Sequence, residues 1–162
     1  MNGKIVGGFI VVTALLAGGA MYYLQEYAFY QPVTFAPGDE IKLTALVSGQ
    51  PEAIPVKDLQ GIDANSSPLR FRACFTTVLD QPTLTEGFKV YDKAVPLNAP
   101  NWFTCFDAAR IGAALESGEA IAFLGQANVA PDIDSVVAVF PDGHGYAWHQ
   151  LKPGIDASSG GE

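Results

Sequence analysis

The chain opens with a long uncharged apolar run. Residues 5–24 contain no charged side chain, and 20 helical residues rise about 30 Å, the thickness of a bilayer's hydrocarbon core. Backbone in lipid must satisfy its own hydrogen bonds, so a lone segment of this kind is expected to be a helix. The pattern predicts a transmembrane helix over residues 5–24, preceded by a short cytoplasmic tail, residues 1–4.

A cleaved signal peptide is the competing interpretation of this run. Gly18 and Ala20 fit the small-residue positions before a cleavage site. The apolar run continues beyond them, however, and Tyr22 and Tyr23 follow at once, as in an interfacial aromatic belt. We expect an uncleaved anchor, and a mature N-terminus near Met21 would show the opposite.

The charges on either side of the apolar run predict its orientation. Lys4 precedes the run, and Glu26, Asp39 and Glu40 are the first charges after it. Positive charge favours the cytoplasmic side. The sequence therefore predicts a single-pass protein of the inner (cytoplasmic) membrane, N-in and C-out, with a periplasmic domain.

Small residues along the predicted anchor favour contact with another helix. Small side chains let two transmembrane helices approach closely, and tyrosines mark the lipid interface. We predict two kinds of partner for the segment, the lipid bilayer and a membrane protein. The predicted membrane-contact residues are Gly7, Gly8, Gly18, Gly19, Tyr22 and Tyr23.

The remainder of the chain shows the pattern of an α+β domain. Prolines and a glycine in QPVTFAPGD end the anchor, which predicts a juxtamembrane linker over 25–40, a domain over 41–156 and a disordered tail over 157–162. Alternating apolar positions predict an antiparallel sheet of five or six strands with one short helix. The predicted strands are 41–47, 69–79, 87–97, 120–127, 135–140 and 146–151.

Local signals add detail to this domain. Asp107 and Gly118 delimit the predicted helix 107–117 as N-terminal cap and C-terminal glycine; its predicted buried stripe is Ala108, Ile111 and Leu115. The stretch 48–68 is rich in turn-forming residues and is expected to be a loop. Strands 69–79 and 87–97 are expected to pair across a turn at TLTEG.

The charge of the domain excludes one class of partner. From residue 25 onward the chain has eight Lys and Arg against 17 Asp and Glu, a net charge of −9. Such a surface repels phosphate backbones and favours solubility. We therefore expect no nucleic-acid partner.

Cys74 and Cys105 are the two cysteines of the chain. Both lie in the part predicted to be outside the cytoplasm, where oxidising conditions permit a disulfide. A bridge closing this loop would contribute about 3 to 4 kcal/mol in the chain-entropy model. Two buried free thiols are the alternative.

The histidines and one pair of aspartates are candidates for metal binding or acid–base chemistry, but their spacing does not favour either function. His144, in the turn PDGHG, and His149 are five positions apart around the last strand. This odd spacing would direct them to opposite faces if both lay on the strand, so no metal site is predicted. Asp132 and Asp134 are expected to be a solvated pair in a turn.

Two arginines lie on the predicted strand that contains Cys74. Arg70 and Arg72 would hold a carboxylate or phosphate, or else pair with the many carboxylates of the domain. No nucleophile elbow, P-loop or dinucleotide fingerprint occurs. We predict no catalytic residue and no cofactor.

The run IDANSSPLRFRACF, together with an anchor ending in YYLQEYAFY, resembles an uncharacterised family of small single-span proteins from alphaproteobacteria. Some members carry an automatic histidine kinase label. The resemblance implies no established activity, and the chain lacks a glycine-rich ATP-binding motif and a helical phospho-acceptor histidine.

Three functional hypotheses follow. The first is a non-enzymatic accessory or assembly protein of a larger membrane complex. The second is a periplasmic ligand-sensing domain that reports to a partner, with a pocket lined by Trp102, Phe103 and Trp148. The third is a thiol or copper handling protein, which requires free cysteines.

Overall fold

A computed structural model of the chain describes residues 2–38 and 40–155. It confirms an α+β fold in which an N-terminal apolar helix precedes an antiparallel sheet and short helices. The predicted tail 157–162 lies outside the described residues.

Helix α1 spans Gly3–Tyr23, and Leu24–Ala28 continue it as a π-helical turn. The side chain of Asn2 caps the first turn by accepting a hydrogen bond from the Lys4 backbone N–H, so the helix begins inside the predicted tail 1–4. The combined segment has 26 residues, and none of its most apolar window is buried against the domain. It is long and apolar enough to cross a membrane.

Six strands of the described chain form one antiparallel sheet in the order β1-β4-β5-β8-β7-β6. Two further strands, β2 and β3, form a separate antiparallel ribbon. The strands are β1 Gln31–Pro32, β2 Lys42–Thr44, β3 Pro51–Ala53, β4 Val56–Asp63, β5 Arg72–Thr77, β6 Ile121–Ala130, β7 Ile133–Val139 and β8 His144–Leu151.

Both faces of the sheet are covered. The central strands β5, β7 and β8 are buried along most of their length, as expected for strands between two layers. One face packs on helix α3 (Ala108–Ser117) and the coil before it. The other packs on the ribbon β2–β3 and helix α2 (Gln81–Gly87).

The stretch 48–68 was expected to be a loop, and this prediction is wrong, because β3 and β4 lie within it. Strand β4 is only partly buried and contains an irregularity between Lys57 and Gln60, with Asp58 at a φ of 51°. A bulge breaks the two-residue period. The alternation that marks a strand in the sequence is therefore absent.

The predicted pairing of 69–79 with 87–97 is also wrong. Strand β5 pairs with β4 and β8 instead. The presumed turn lies in α2, where Asp80 accepts a hydrogen bond from Thr83 N–H as N-cap and a proline occupies the first turn. Beyond α2, residues 88–97 are mainly coil, so the described domain has two short helices where one was expected.

Helix α3 agrees with its prediction. Asp107 accepts a hydrogen bond from Arg110 N–H at 3.0 Å, and Gly118 ends the helix with a φ of 76°. Ile111 and Ala114 are its buried residues. The predicted stripe differs slightly, because Ala108 and Leu115 are only partly buried.

Candidate functional site

The end of the N-terminal helix is bound to the globular domain. Trp102 Nε1 donates a hydrogen bond to the Glu26 carbonyl oxygen at 2.6 Å, and the Asn101 backbone N–H donates to Glu26 Oε2 at 3.4 Å. Carbonyl groups at the end of a helix have no partner within it. The domain supplies that partner, so the last turn is attached to it.

Aromatic rings reinforce this attachment. Tyr27 stacks on Trp102 at 6.4 Å between ring centroids, and Tyr30 meets Trp102 edge-on at 6.1 Å. Tyr23 stacks on Tyr27 at 5.9 Å. We call Tyr22, Tyr23, Tyr27, Tyr30 and Trp102 the aromatic collar. Tyr22 and Tyr23 are largely exposed, which suits contact with lipid headgroups.

The predicted linker is part of the sheet where it meets β4. Strand β1 pairs with the end of β4, and Val33 N–H donates to the Gly61 carbonyl oxygen at 2.9 Å. The ring of Phe35 lies on Gly61, where a Cβ atom would be 2.6 Å from Phe35 Cζ. Only glycine leaves room for this ring without movement. The chain from anchor to domain is therefore fixed in register.

A cavity of about 360 Å³ opens between this linker and the sheet. Residues 33–36 and 40–42 line it, together with residues of β4, β6, β7 and β8. We call it the linker cavity. Its size lies in the range of small-molecule sites. The polar and aromatic residues that line it are Thr34, Phe35, Glu40, Lys42, Asp63, Phe71, Gln126, Ser135 and His149.

His149 is the most constrained of these groups. Its Nδ1 lies 2.8 Å from the Pro68 carbonyl oxygen, and its ring stacks on Phe71 at 4.7 Å between centroids. Burial lowers the pKa of this imidazole below its ordinary value. A neutral ring donating from Nδ1 leaves Nε2 as an acceptor.

His144 has different surroundings. Its Nδ1 lies 2.9 Å from Asp142 Oδ2 in the exposed turn before β8. The Asp142 side chain also accepts a hydrogen bond from the His144 backbone, which lowers the pKa of that carboxyl. The two histidines belong to separate surroundings, and within residues 2–38 and 40–155 no group of three or more metal-ligating side chains occurs.

The two arginines considered as an anion site or as partners of carboxylates lie in different surroundings. Arg72 is buried and donates to the carbonyl oxygens of Leu69, Phe71, Leu97 and Asn98 at 2.6 to 3.0 Å. Burial lowers the pKa of its guanidinium to about 10, so it remains charged at neutral pH. Its donors are used to hold the coil before α3 against the sheet.

Arg70 lies apart from this buried group. Its guanidinium carbon is 5.4 Å from the centroid of the Tyr30 ring, a cation–π contact with the aromatic collar. The two arginines therefore do not form a joint anion site. One secures the domain internally, and the other contacts the collar.

The two aspartates predicted as a solvated pair, Asp132 and Asp134, lie in different surroundings. Asp132 lies in the turn between β6 and β7 with a φ of 60°. Asp134 is only 6% exposed and accepts hydrogen bonds from Tyr91 Oη at 3.1 Å and from Asn128 N–H at 3.0 Å. Burial raises the pKa of Tyr91 to about 12. The prediction that the Asp134 side chain is solvated in a turn is therefore wrong.

The predicted aromatic pocket is present only in part. Trp148 is fully buried in the core, with Nε1 donating to Gln150 Oε1 at 3.0 Å, and Phe103 is also buried. Trp102 and Phe103 line one cavity beside β4, and Trp148 does not reach it. Phe35 and Phe71, which were not among the predicted pocket residues, line the linker cavity.

Cys74 and Cys105 form a disulfide with their Cα atoms 6.3 Å apart, which confirms the predicted bridge. It ties β5 to the coil that leads into α3. Since the chain has two cysteines, no thiol remains for redox or metal chemistry in this form of the protein.

The predicted glycine surface of the anchor is open. No other part of the described chain lies within 4 Å of a Cβ added at Gly7, Gly8, Gly18 or Gly19. Gly7 and Gly18 are 11 residues apart, about three helical turns, and therefore lie on one side of α1. Gly8 and Gly19 repeat the same spacing beside them.

A family model covers residues 41–161, about three quarters of the chain. The chain belongs to DUF6446, a family of unknown function. No curated protein and no solved structure matches it. The predicted resemblance to an uncharacterised family is thus confirmed at that level. The DUF6446 match carries neither an alphaproteobacterial source nor a kinase label.

The DUF6446 match places the two candidate features differently. Asp63, Phe71, Ser135 and His149 of the linker cavity lie inside the matched residues. The anchor, the linker wall 33–36 and most of the aromatic collar precede them. The cavity is therefore built where the matched part meets the segment that leads to the anchor.

Proposed function

We propose that this protein is a non-enzymatic accessory or assembly protein of a larger membrane complex. In this proposal α1 crosses the inner membrane with its N-terminus in the cytoplasm, and the outer domain lies in the periplasm. The bilayer and a membrane-protein partner are then its neighbours.

The observation that carries the proposal is the fixed attachment of anchor to domain. A simple tether needs no contact between its helix and the tethered domain. Here the Trp102 hydrogen bond to Glu26, the stacked Tyr27 ring and the pairing of β1 with β4 all restrain the connection. Such restraint suits a domain that must be presented to a neighbour at a defined height and angle.

The open side of α1 supports a helix partner. Gly7 and Gly18 leave a shallow surface where another backbone would approach closely. Van der Waals packing across such small residues drives association in lipid, since the bilayer offers little hydrophobic difference.

Site-specific photocross-linking tests this proposal. A photoreactive side chain at Val11 lies between Gly7 and Gly18 on the same side of α1, whereas one at Leu16 lies about 140° away. We expect a discrete protein adduct in native membranes from Val11 and not from Leu16. Equal adducts, or lipid adducts alone at Val11, would contradict a partner on the glycine side.

The linker cavity favours a second candidate, a periplasmic ligand-sensing domain. An occupant of this cavity would touch residues 33–36, the segment that runs through β1 into the anchor. Binding would therefore act directly on the connection to the membrane helix.

Hydrogen exchange of the full chain tests this candidate. A ligand present in the low-molecular-mass fraction of periplasm is expected to slow amide hydrogen exchange at residues 33–36, and unchanged exchange would count against sensing.

A further inference from the structure

The linker cavity combines rings and hydrogen-bond acceptors in one small volume. Phe35 and Phe71 meet edge-on at 6.5 Å between centroids. Asp63 and His149 line the same cavity. Apolar walls with a few convergent polar groups are the usual form of a small-molecule site.

The charged groups of the cavity favour a positive ligand. Asp63 and Glu40 are two carboxylates against the single ammonium of Lys42. Asp63 Oδ1 accepts a hydrogen bond from Ala64 N–H at 2.7 Å, which orients this carboxylate and leaves Oδ2 outside that bond. An anion would meet net repulsion here, and a cation net attraction.

His149 and the two phenylalanine rings also favour a positive ligand. With its Nδ1 hydrogen on the Pro68 carbonyl oxygen, His149 offers a lone pair at Nε2 rather than a donor. The faces of phenylalanine rings attract cations as well. A ligand matching these walls has N–H donors and a positive charge on a compact apolar body.

We infer that the linker cavity binds a small organic cation, a primary or secondary amine carried on an aromatic or branched apolar body. This inference rests on the ligand-sensing function proposed above and names its ligand class. The ammonium group would lie against the Asp63 carboxylate, and the apolar body against Phe35 and Phe71.

Three probes with one body and different head groups test the inference. They are phenethylamine, 2-phenylethanol and 3-phenylpropanoate, each titrated at pH 7.5 into the full chain in lipid nanodiscs with isotope-labelled histidines. The imidazole signals of His149 report the cavity. His144, in the exposed turn outside it, is the internal control for partition into lipid.

We expect phenethylamine to shift the His149 signals saturably and to leave those of His144 in place. Asp63→Asn keeps an acceptor for Ala64 N–H but removes the charge, and it should weaken amine binding about tenfold or more, the usual effect of losing one charged hydrogen bond. Asp92→Asn removes an equally charged, exposed group outside this cavity and should leave binding unchanged.

The contrary outcomes separate the ligand class from the sensing function. Saturation of His149 by the alcohol or the carboxylate in preference to the amine, or full amine affinity in Asp63→Asn, would overturn the cation inference and keep the cavity as a ligand site. Absence of saturable shifts with all three probes would overturn the inference and the sensing function together.

Discussion

Gly61 is the residue on which the linker depends, because the Phe35 ring occupies the space of its missing side chain. We expect Gly61→Ala to lower the free energy of unfolding by about 1 to 3 kcal/mol, the usual cost of overpacking. The linker should also become more susceptible to protease near residues 33–36. Denaturant titration and limited proteolysis of the full chain check this.

Gly112→Ala is the matched control for that substitution. A Cβ at Gly112 would have Pro96 Cγ as its nearest neighbour at 3.8 Å, an ordinary contact, and the site lies within α3. Alanine there should stabilise the helix by up to about 1 kcal/mol. If both variants had the same stability and protease pattern, the packing of Phe35 on Gly61 would not hold the linker.

His149 should make stability depend on pH. Burial lowers its folded-state pKa below the ordinary value of 6.5, so the unfolded chain binds the proton first as the pH falls. Its favourable contribution is therefore complete well above pH 6.5 and is lost as the pH falls through 6.5 towards the folded value. Asp63 opposes this shift and Arg72 adds to it.

The test is the loss of thermal stability between pH 7.5 and pH 5. His149→Asn retains a donor for the Pro68 carbonyl oxygen but cannot titrate. We expect this variant to melt lower at pH 7.5, because stacking on Phe71 is lost, and to lose less stability on acidification than the parent. An equal loss in both proteins would show that His149 does not titrate with folding.

Single residues were the least predictable scale. Arg72 and Asp134 are charged types that belong to the surface by default, yet both are buried and hydrogen-bonded. Arg72 donates to the Leu97 and Asn98 carbonyl oxygens in a distant coil, and Asp134 accepts from the Tyr91 hydroxyl in the same coil. Sequence spacing carries no trace of such partners, which exist only once the coil has folded over the sheet.

At the scale of elements, the disulfide joins β5 to the coil before α3. The double substitution Cys74→Ser with Cys105→Ser should lower the free energy of unfolding by about 3 kcal/mol, because the unfolded chain regains loop entropy. Urea denaturation measures this. A reducing agent should weaken the parent to the same degree and leave the double variant unaffected; a parent insensitive to reduction would contradict the bridge's role.

Elements with complete local signals were predictable, and those without were not. Helix α3 has an N-cap, an apolar stripe and a terminal glycine, and β7 and β8 alternate or run apolar between turns. In β4 an irregularity interrupts the alternation of apolar and polar side chains. Strand β1 consists of two residues, which pair with β4 and have no strand signal of their own. The linker cavity was therefore invisible in the sequence.

For the whole molecule, the proposed function depends on the predicted membrane topology, with the N-terminus in the cytoplasm and the domain in the periplasm. Alkaline phosphatase fused after Glu162 should be active, since it needs the oxidising side of the membrane to form its own disulfides. A cytosolic fluorescent protein at the same position should stay dark after export through the general secretion route. The reverse pattern would place the domain in the cytoplasm.

Retention of the anchor is checked on the same fusion. We expect the purified protein to keep α1, so that it remains with the membrane after salt and alkaline washes. An N-terminal sequence beginning near Met21 would show cleavage and would leave the aromatic collar without its helix.

The chain runs without a break from α1 through the π-helical turn into β1. This connection therefore fixes the rotation of α1 about its axis relative to the domain, as well as its distance from the domain. Successive residues of a helix are rotated by about 100° around its axis. The pairing of β1 with β4 fixes the end of this segment that enters the domain. One residue inserted before Tyr27 would swing the side bearing Gly7 and Gly18 by more than a quarter turn relative to the domain. The number of residues in this short stretch thus determines which way the protein faces its neighbour.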